Sequence, residues 1–138
     1  MQGVRLRRGG SWLLDGIDWR VEPGEQWALL GPNGAGNSTL LTLAAATTHP
    51  TAGTVELLGE RMGRTDVRRL RERIGVVEAR LDRKLDESYD VSTIVLTCAT
   101  GTRIPLWERY DEQVKARAEE LLELFGCADL ATRQLGIC

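Results

Sequence analysis

Lysine is nearly missing from this sequence: only Lys84 and Lys115 contribute to its 18 basic residues. The remaining cations are arginines, which reads as a habit of composition rather than a binding device. With 20 acidic residues the net charge is −2, so the basic excess of a dedicated nucleic-acid binder is absent and no nucleic-acid partner is expected. Histidine is rarer still, with His49 alone, and the three cysteines, Cys98, Cys127 and Cys138, form no Cys-x-x-Cys pair. That spacing argues against a zinc site and reads as buried or incidental reduced thiols in a cytosolic protein. Long apolar runs are lacking too. Residues 40–48, the longest weakly polar stretch, reach roughly half of the ~20 residues that cross a bilayer. The polar, basic start at residues 1–8 has no apolar core of a signal peptide. These absences predict a soluble chain with no direct membrane insertion.

What is present is ordinary globular material: 138 residues, 42% hydrophobic, enough for one domain with a buried core and no disulfide staples. Val4-Arg5-Leu6-Arg7 alternates as a half-buried strand, and Gly9-Gly10 turns out of it. Ile17-Asp18-Trp19-Arg20-Val21 alternates again before the turn signal Glu22-Pro23-Gly24-Glu25. Trp27-Ala28-Leu29-Leu30 is a continuous apolar run, which predicts a fully buried strand. Residues 38–47 predict a helix, stopped by His49-Pro50-Thr51-Ala52-Gly53, and residues 54–58 a short strand closed by Gly59.

Val67, Leu70 and Ile74 have helical spacing among Arg64, Arg68, Arg69, Arg71 and Arg73, with Asp66 and Glu72 interleaved. That pattern is a solvated helix face rather than an anion site. Ile74-Gly75-Val76-Val77 predicts a second buried strand, and residues 79–90 a charged surface loop. Residues 91–97 are apolar and too short to separate helix from strand. Residues 111–125 form the clearest amphipathic helix, with Val114, Ala118, Leu121, Leu122 and Phe125 on one stripe and Gly126 at its end.

Between the Trp27–Leu30 run and the following helix lies Gly31-Pro32-Asn33-Gly34-Ala35-Gly36-Asn37-Ser38-Thr39. A strand, a glycine-rich loop and a helix in that order form a phosphate-binding P-loop. Successive backbone N–H groups make a nest for phosphate oxygens, and the helix beginning near Asn37 adds unpaired donors and the positive end of its dipole. Ser38 is placed to offer its hydroxyl to Mg²⁺, and Thr39 to reach an earlier phosphate. Asn37 departs from the motif, which has lysine here to meet the β- and γ-phosphates. The loss of a charged hydrogen bond costs ~1.5–3 kcal/mol, or roughly 10–100-fold in affinity. Charge stabilisation is most of what a phosphoryl-transfer site supplies, so the expectation is weak nucleotide binding without turnover.

The loop, continued by Leu40-Leu41, resembles the Walker A segment of ATP-binding cassette (ABC) ATPases. Leu14-Asp15-Gly16-Ile17 and Val21-Glu22-Pro23-Gly24-Glu25 are similar to the family's strand pair before the loop. Pro50-Thr51-Ala52-Gly53-Thr54-Val55 resembles its turn after the first helix, and residues 74–77 the strand leading to its Q-loop. The resemblance implies an α/β P-loop NTPase fold with N-terminal antiparallel strands and a helical segment towards the C-terminus. It also implies ATP and Mg²⁺ as ligands, both weakly held, and a cytoplasmic location peripheral to the inner face of the membrane. The implied partner is a separate membrane-spanning subunit or an intact ABC domain.

Two departures follow from the same comparison. Glu78-Ala79-Arg80 stands where the family has its Mg²⁺-sensing glutamine. The position of the aromatic that stacks on adenine is taken by Arg8, whose guanidinium would stack instead; Trp12 is the aromatic alternative, or else a packing residue of the strands. No signature motif, Walker B acid or switch histidine occurs in the sequence, so residues 1–138 read as a truncated nucleotide-binding domain with an incomplete core sheet and no catalytic residue. Residues 74–78 imitate a Walker B strand but lack its second acid. The Trp27–Leu30 strand is then expected to expose an edge and apolar surface. Three functions compete: an ATP-binding subunit that is inactive in this form, a non-catalytic interaction module, and a fragment with no function of its own.

Overall fold

A computed structural model of the chain describes residues 1–77 and 85–137. They divide into two compact units, Met1–Leu70 and Arg71–Cys138.

The first unit is built on an antiparallel three-stranded sheet in the order β2-β1-β3, with β1 at Gln2–Arg8, β2 at Ser11–Ile17 and β3 at Ala52–Thr54. Alternation in β1 sends Val4 and Leu6 into the core, where Leu14 of β2 joins them. Gly9 and Gly10 form the two-residue hairpin that sets Arg8 opposite Ser11. The register then shifts twice, with Arg7 opposite Trp12, Leu6 opposite Leu14 and Val4 opposite Ile17. The first shift makes Leu13 an extra residue on β2. At the far edge β3 passes so close to β1 that a Cβ on Gly53 would stand 2.4 Å from the Gly3 carbonyl oxygen, at a φ of +84°. Only glycine fits there.

The strand expected over residues 17–21 is displaced: β2 occupies Ser11–Ile17 and stops. Beyond it, contact with β1 continues through the Asp18 carboxylate, which accepts from the Gly3 N–H at 2.7 Å, and through mutual backbone bonds between Met1 and Trp19. The expected turn at residues 22–25 is present, closed by the Glu25 N–H on the Glu22 carbonyl at 3.1 Å. Helix α1 covers Asn37–Ala44 and ends where Ala46 turns left-handed and Thr47 and Thr48 bond back to Thr42. Leu43 and Ala46 are its buried contribution to the core, with Val55, Met62 and Leu70. A small hairpin, β4 (Glu56–Leu57) and β5 (Glu60–Arg61), and a short helix α2 (Val67–Arg71) complete the unit.

Two expected strands are absent. Residues 25–31 and 74–77 carry no strand pairing, Leu30 is 89% exposed and Val77 is fully exposed. A strand needs a ladder partner for its N–H and C=O groups, and none is provided among the described residues. The expected exposure of apolar surface at Trp27 and Leu30 is observed.

In the second unit the ambiguous segment is helix α3, Val91–Cys98. Its N-cap decides the matter: the Asp90 carboxylate accepts from the Thr93 N–H at 2.7 Å and from the Ser92 hydroxyl at 3.0 Å. Hydrogen bonds from Thr93, and after them that from Ser92, hold the Asp90 carboxyl below its ordinary range. A carboxyl depressed on folding adds stability that is complete above its unfolded value and is lost as pH falls through its folded one. Asp90→Ala is therefore expected to cost about 1 kcal/mol at neutral pH and progressively less in acid, read from urea melts at neutral and strongly acidic pH. An equal cost at both pH values would contradict the carboxylate's role.

Helix α4, Glu112–Leu124, is capped by Asp111, which accepts from the Val114 N–H at 2.9 Å. It closes with the Gly126 N–H on Glu123 and the Cys127 N–H on Leu122, the paired bonds of a Schellman end. Ala118 and Leu122 are buried as expected, whereas Phe125, assigned to the same stripe, is 75% exposed. It falls at the C-cap, where the chain leaves the helical path.

Candidate functional site

The glycine-rich loop forms a real concavity of roughly 310 Å³, lined by Leu13 and all nine residues from Gly31 to Thr39. Its shape follows from three local features. The Ala35 N–H closes a turn on the Pro32 carbonyl at 3.0 Å. At the root, a Cβ on Gly31 would come within 2.9 Å of the Ala35 Cβ, so the loop folds back on itself there. At the rim, Gly36 is left-handed, with φ 93° and ψ 3°, and serves as N-cap of α1. A Cβ on it would stand 2.8 Å from Leu14 Cδ2 and 2.9 Å from the Leu13 carbonyl oxygen.

That geometry leaves donors unused. The first intrahelical bond runs from the Leu40 N–H to the Gly36 carbonyl at 2.8 Å. Gly36 has no side chain to cap the turn, and the N–H groups of Gly34, Gly36, Asn37, Ser38 and Thr39 find no acceptor among the described residues. Several N–H groups converging on a cavity, with the positive end of a helix behind them, suit an anion. The glycines at root and rim let the loop pack against its own chain and β2, and the unpaired N–H groups of the residues lining the cavity suit the oxygens of a nucleotide's phosphates. Ser38 is exposed on the first turn of α1. Its hydroxyl offers one oxygen, as suits a Mg²⁺ held mainly by phosphates.

No ionisable side chain lines the cavity. Asn37 does not substitute for one. Its Nδ2 donates to the Leu29 carbonyl at 3.4 Å, a long bond, and its amide atoms stand 3.4 and 3.6 Å from the Cβ position of Gly31. The side chain thus lies back against the root of the loop. Arg8 and Trp12 are not among the lining residues. Arg8 is exposed at the β1–β2 turn, and the half-exposed Trp12 ring has the Arg7 guanidinium 5.6 Å and the Arg5 guanidinium 6.0 Å from its centre. Arg5 also pairs with Asp15 at 2.8 Å. Leu13 was not legible as a site residue. The bulge that places it beside the loop is a matter of register, which the apolar run Trp12-Leu13-Leu14 does not reveal. Glu78, in the place of the Q-loop glutamine, lies outside the described residues.

The sequence model of the ABC transporter family matches residues 14–137. The chain belongs to the ABC transporter ATP-binding family. Among curated relatives it is 36% identical over 135 residues to an uncharacterized ABC transporter ATP-binding protein, YlmA, of Bacillus subtilis (strain 168), covering 97% of this chain and 51% of that protein. A putative ABC transporter ATP-binding protein of Streptococcus mutans serotype c is 37% identical over 133 residues, covering 96% and 51%. This ABC chain thus spans about half the length of the curated relatives it matches. Its fold agrees with a nucleotide-free ATP-binding cassette from an ABC transporter, with a TM-score of 0.68 at 19% identity, covering 99% of this chain and 57% of that one. It agrees also with the ADP conformation of the cassette MJ1267, with a TM-score of 0.65 over the same shares. The architecture, antiparallel strands and several helices with no closed sheet among the described residues, is that of part of a P-loop NTPase fold. No helix among the described residues is long and apolar enough to cross a membrane.

Proposed function

We propose that this ABC chain binds a nucleotide weakly through Gly31, Pro32, Asn33, Gly34, Ala35, Gly36, Asn37, Ser38 and Thr39, and does not hydrolyse it. The observation that carries this reading is the set of unpaired N–H groups around a cavity without a cation. The loop N–H groups hold the phosphates, Ser38 supplies an oxygen to a phosphate-bound Mg²⁺, and the base lies towards the β1–β2 hairpin at Trp12 or Arg8. The family role is to couple ATP to a membrane-spanning subunit or to an intact ABC domain, at the cytoplasmic face of a membrane. Turnover fails on this reading because the loop has no lysine to meet the charge that develops on the phosphates.

Calorimetric titration with Mg·ATP tests this directly. Asn37→Lys is expected to tighten binding by roughly 10–100-fold, the equivalent of one charge-assisted hydrogen bond. The parent chain is not expected to release phosphate at steady state. No heat from either would sink the nucleotide-binding reading, and sustained phosphate release from the parent chain would overturn the inactive one. A second reading, a non-catalytic interaction module, draws on the exposed Trp27 and Leu30 in an unpaired extended segment. Sedimentation that finds only monomer over a wide concentration range, and no association with an intact ABC domain, would remove it.

A further inference from the structure

We propose that Asn37 makes this loop indifferent to the γ-phosphate, so that nucleoside diphosphates and triphosphates bind it with nearly equal affinity. The inference rests on the nucleotide-binding reading above and concerns what that site can tell apart. Its recognition elements are backbone N–H groups, fixed in place by the turn at Pro32–Ala35 and the left-handed Gly36. Donors of that kind grip the phosphates seated inside the nest. A terminal phosphate lying farther out needs a side chain that reaches over the rim, and the lining offers none with a charge.

Asn37 is the one residue whose position in the motif would supply such a reach. Its amide is instead engaged below the loop, on the Leu29 carbonyl and against Gly31. Turned outward, it would remain shorter than lysine and neutral. The other polar side chains of the lining, Asn33, Ser38 and Thr39, are all uncharged. Ser38 would offer its oxygen to a metal that either nucleotide brings with it. The difference between the two ligands is therefore left to solvent.

The consequence is functional. A ligand pair bound with equal affinity shifts no conformational equilibrium when one is exchanged for the other. Occupancy of this loop would follow the summed diphosphate and triphosphate pool and not their ratio. Hydrolysis of the bound triphosphate, whoever catalysed it, would then not drive release.

The test is calorimetry on the full chain with Mg·ATP and Mg·ADP in parallel, then on Asn37→Lys. In the parent chain the two dissociation constants are expected to agree within about threefold, well under the effect of one charged contact. Asn37→Lys is expected to create a preference for ATP of about tenfold or more. A preference for ATP beyond threefold in the parent overturns this inference and leaves the nucleotide-binding reading standing. Absence of binding by both ligands overturns the two together. A folded Asn37→Lys chain, checked by circular dichroism, that still treats ATP and ADP alike overturns the assignment to residue 37. The parent ratio decides the central claim even where the lysine variant does not fold.

Discussion

Gly36→Ala is expected to abolish measurable nucleotide binding while the chain still folds. The residue sits at φ 93°, ψ 3°, where a side chain costs ~1–2 kcal/mol of backbone strain. The larger effect is spatial. The new methyl would stand 2.8 Å from Leu14 Cδ2 and 2.9 Å from the Leu13 carbonyl oxygen. Leu14 is buried in the sheet core and Leu13 is fixed by the bulge, so neither can withdraw freely. The loop itself must move, and with it the N–H groups of Gly36, Asn37 and Ser38. Losing two such hydrogen bonds at about 1 kcal/mol each weakens binding roughly 30-fold. Because the loop already lacks a cation, that places affinity beyond calorimetric reach. Gly34→Ala is the control: its φ of +87° imposes similar strain, but open space surrounds its Cβ. A Gly36→Ala chain that bound Mg·ATP as Gly34→Ala does would show that the contact with β2 does not shape the nest.

How much of this was legible beforehand depends on how local each feature is. The P-loop was, because its geometry is dictated by the glycines and the helix start within nine consecutive residues. So were the Gly9-Gly10 hairpin, the turn at residues 22–25, helix α1 and the capped helix α4, all fixed by neighbours a few positions apart. Helix α3 was undecided on length alone, although the Asp90–Thr93 cap that settles it was present in the sequence as an acid three positions before a small polar residue. The failures are non-local. Residues 27–30 and 74–77 have the apolar composition of buried strands, but a strand is a statement about a partner. A segment that finds none stays unpaired however apolar it is. The shift of β2 to Ser11–Ile17 has the same origin, since register is set against β1 and broken by two irregularities that alternation cannot encode. Leu13 entered the site by that route. Asn37 lies between these cases: its identity announced a weakened loop, whereas its amide bond to Leu29 depended on how the loop folds over its own root.

Leu43→Ala should cost the first unit a large share of its stability, and through it the site. Leu43 is 0% exposed and is among the largest fully buried side chains of the chain. Truncating such a leucine costs ~2–5 kcal/mol, the spread reflecting how far the cavity collapses. At the usual 0.05–0.15 kcal/mol per residue, the 70 residues of this unit hold about 4–10 kcal/mol in total. The loss is therefore comparable with what keeps the unit folded. Leu41, half-exposed on the same helix, supplies the comparison, with a change of about 0.5 kcal/mol expected for Leu41→Ala. Urea melts followed by indole fluorescence suit the measurement, because Trp12, Trp19 and Trp27 all lie in this unit. The link to function runs through α1, whose first turn carries phosphate donors and whose buried face anchors them through Leu43. If so, saturating Mg·ATP should recover part of the loss, since a ligand that binds only the folded form stabilises it by mass action. A Leu43→Ala chain within 1 kcal/mol of its parent would mean that α1 is held mainly by its own ends. The nest would then owe its shape to the loop alone.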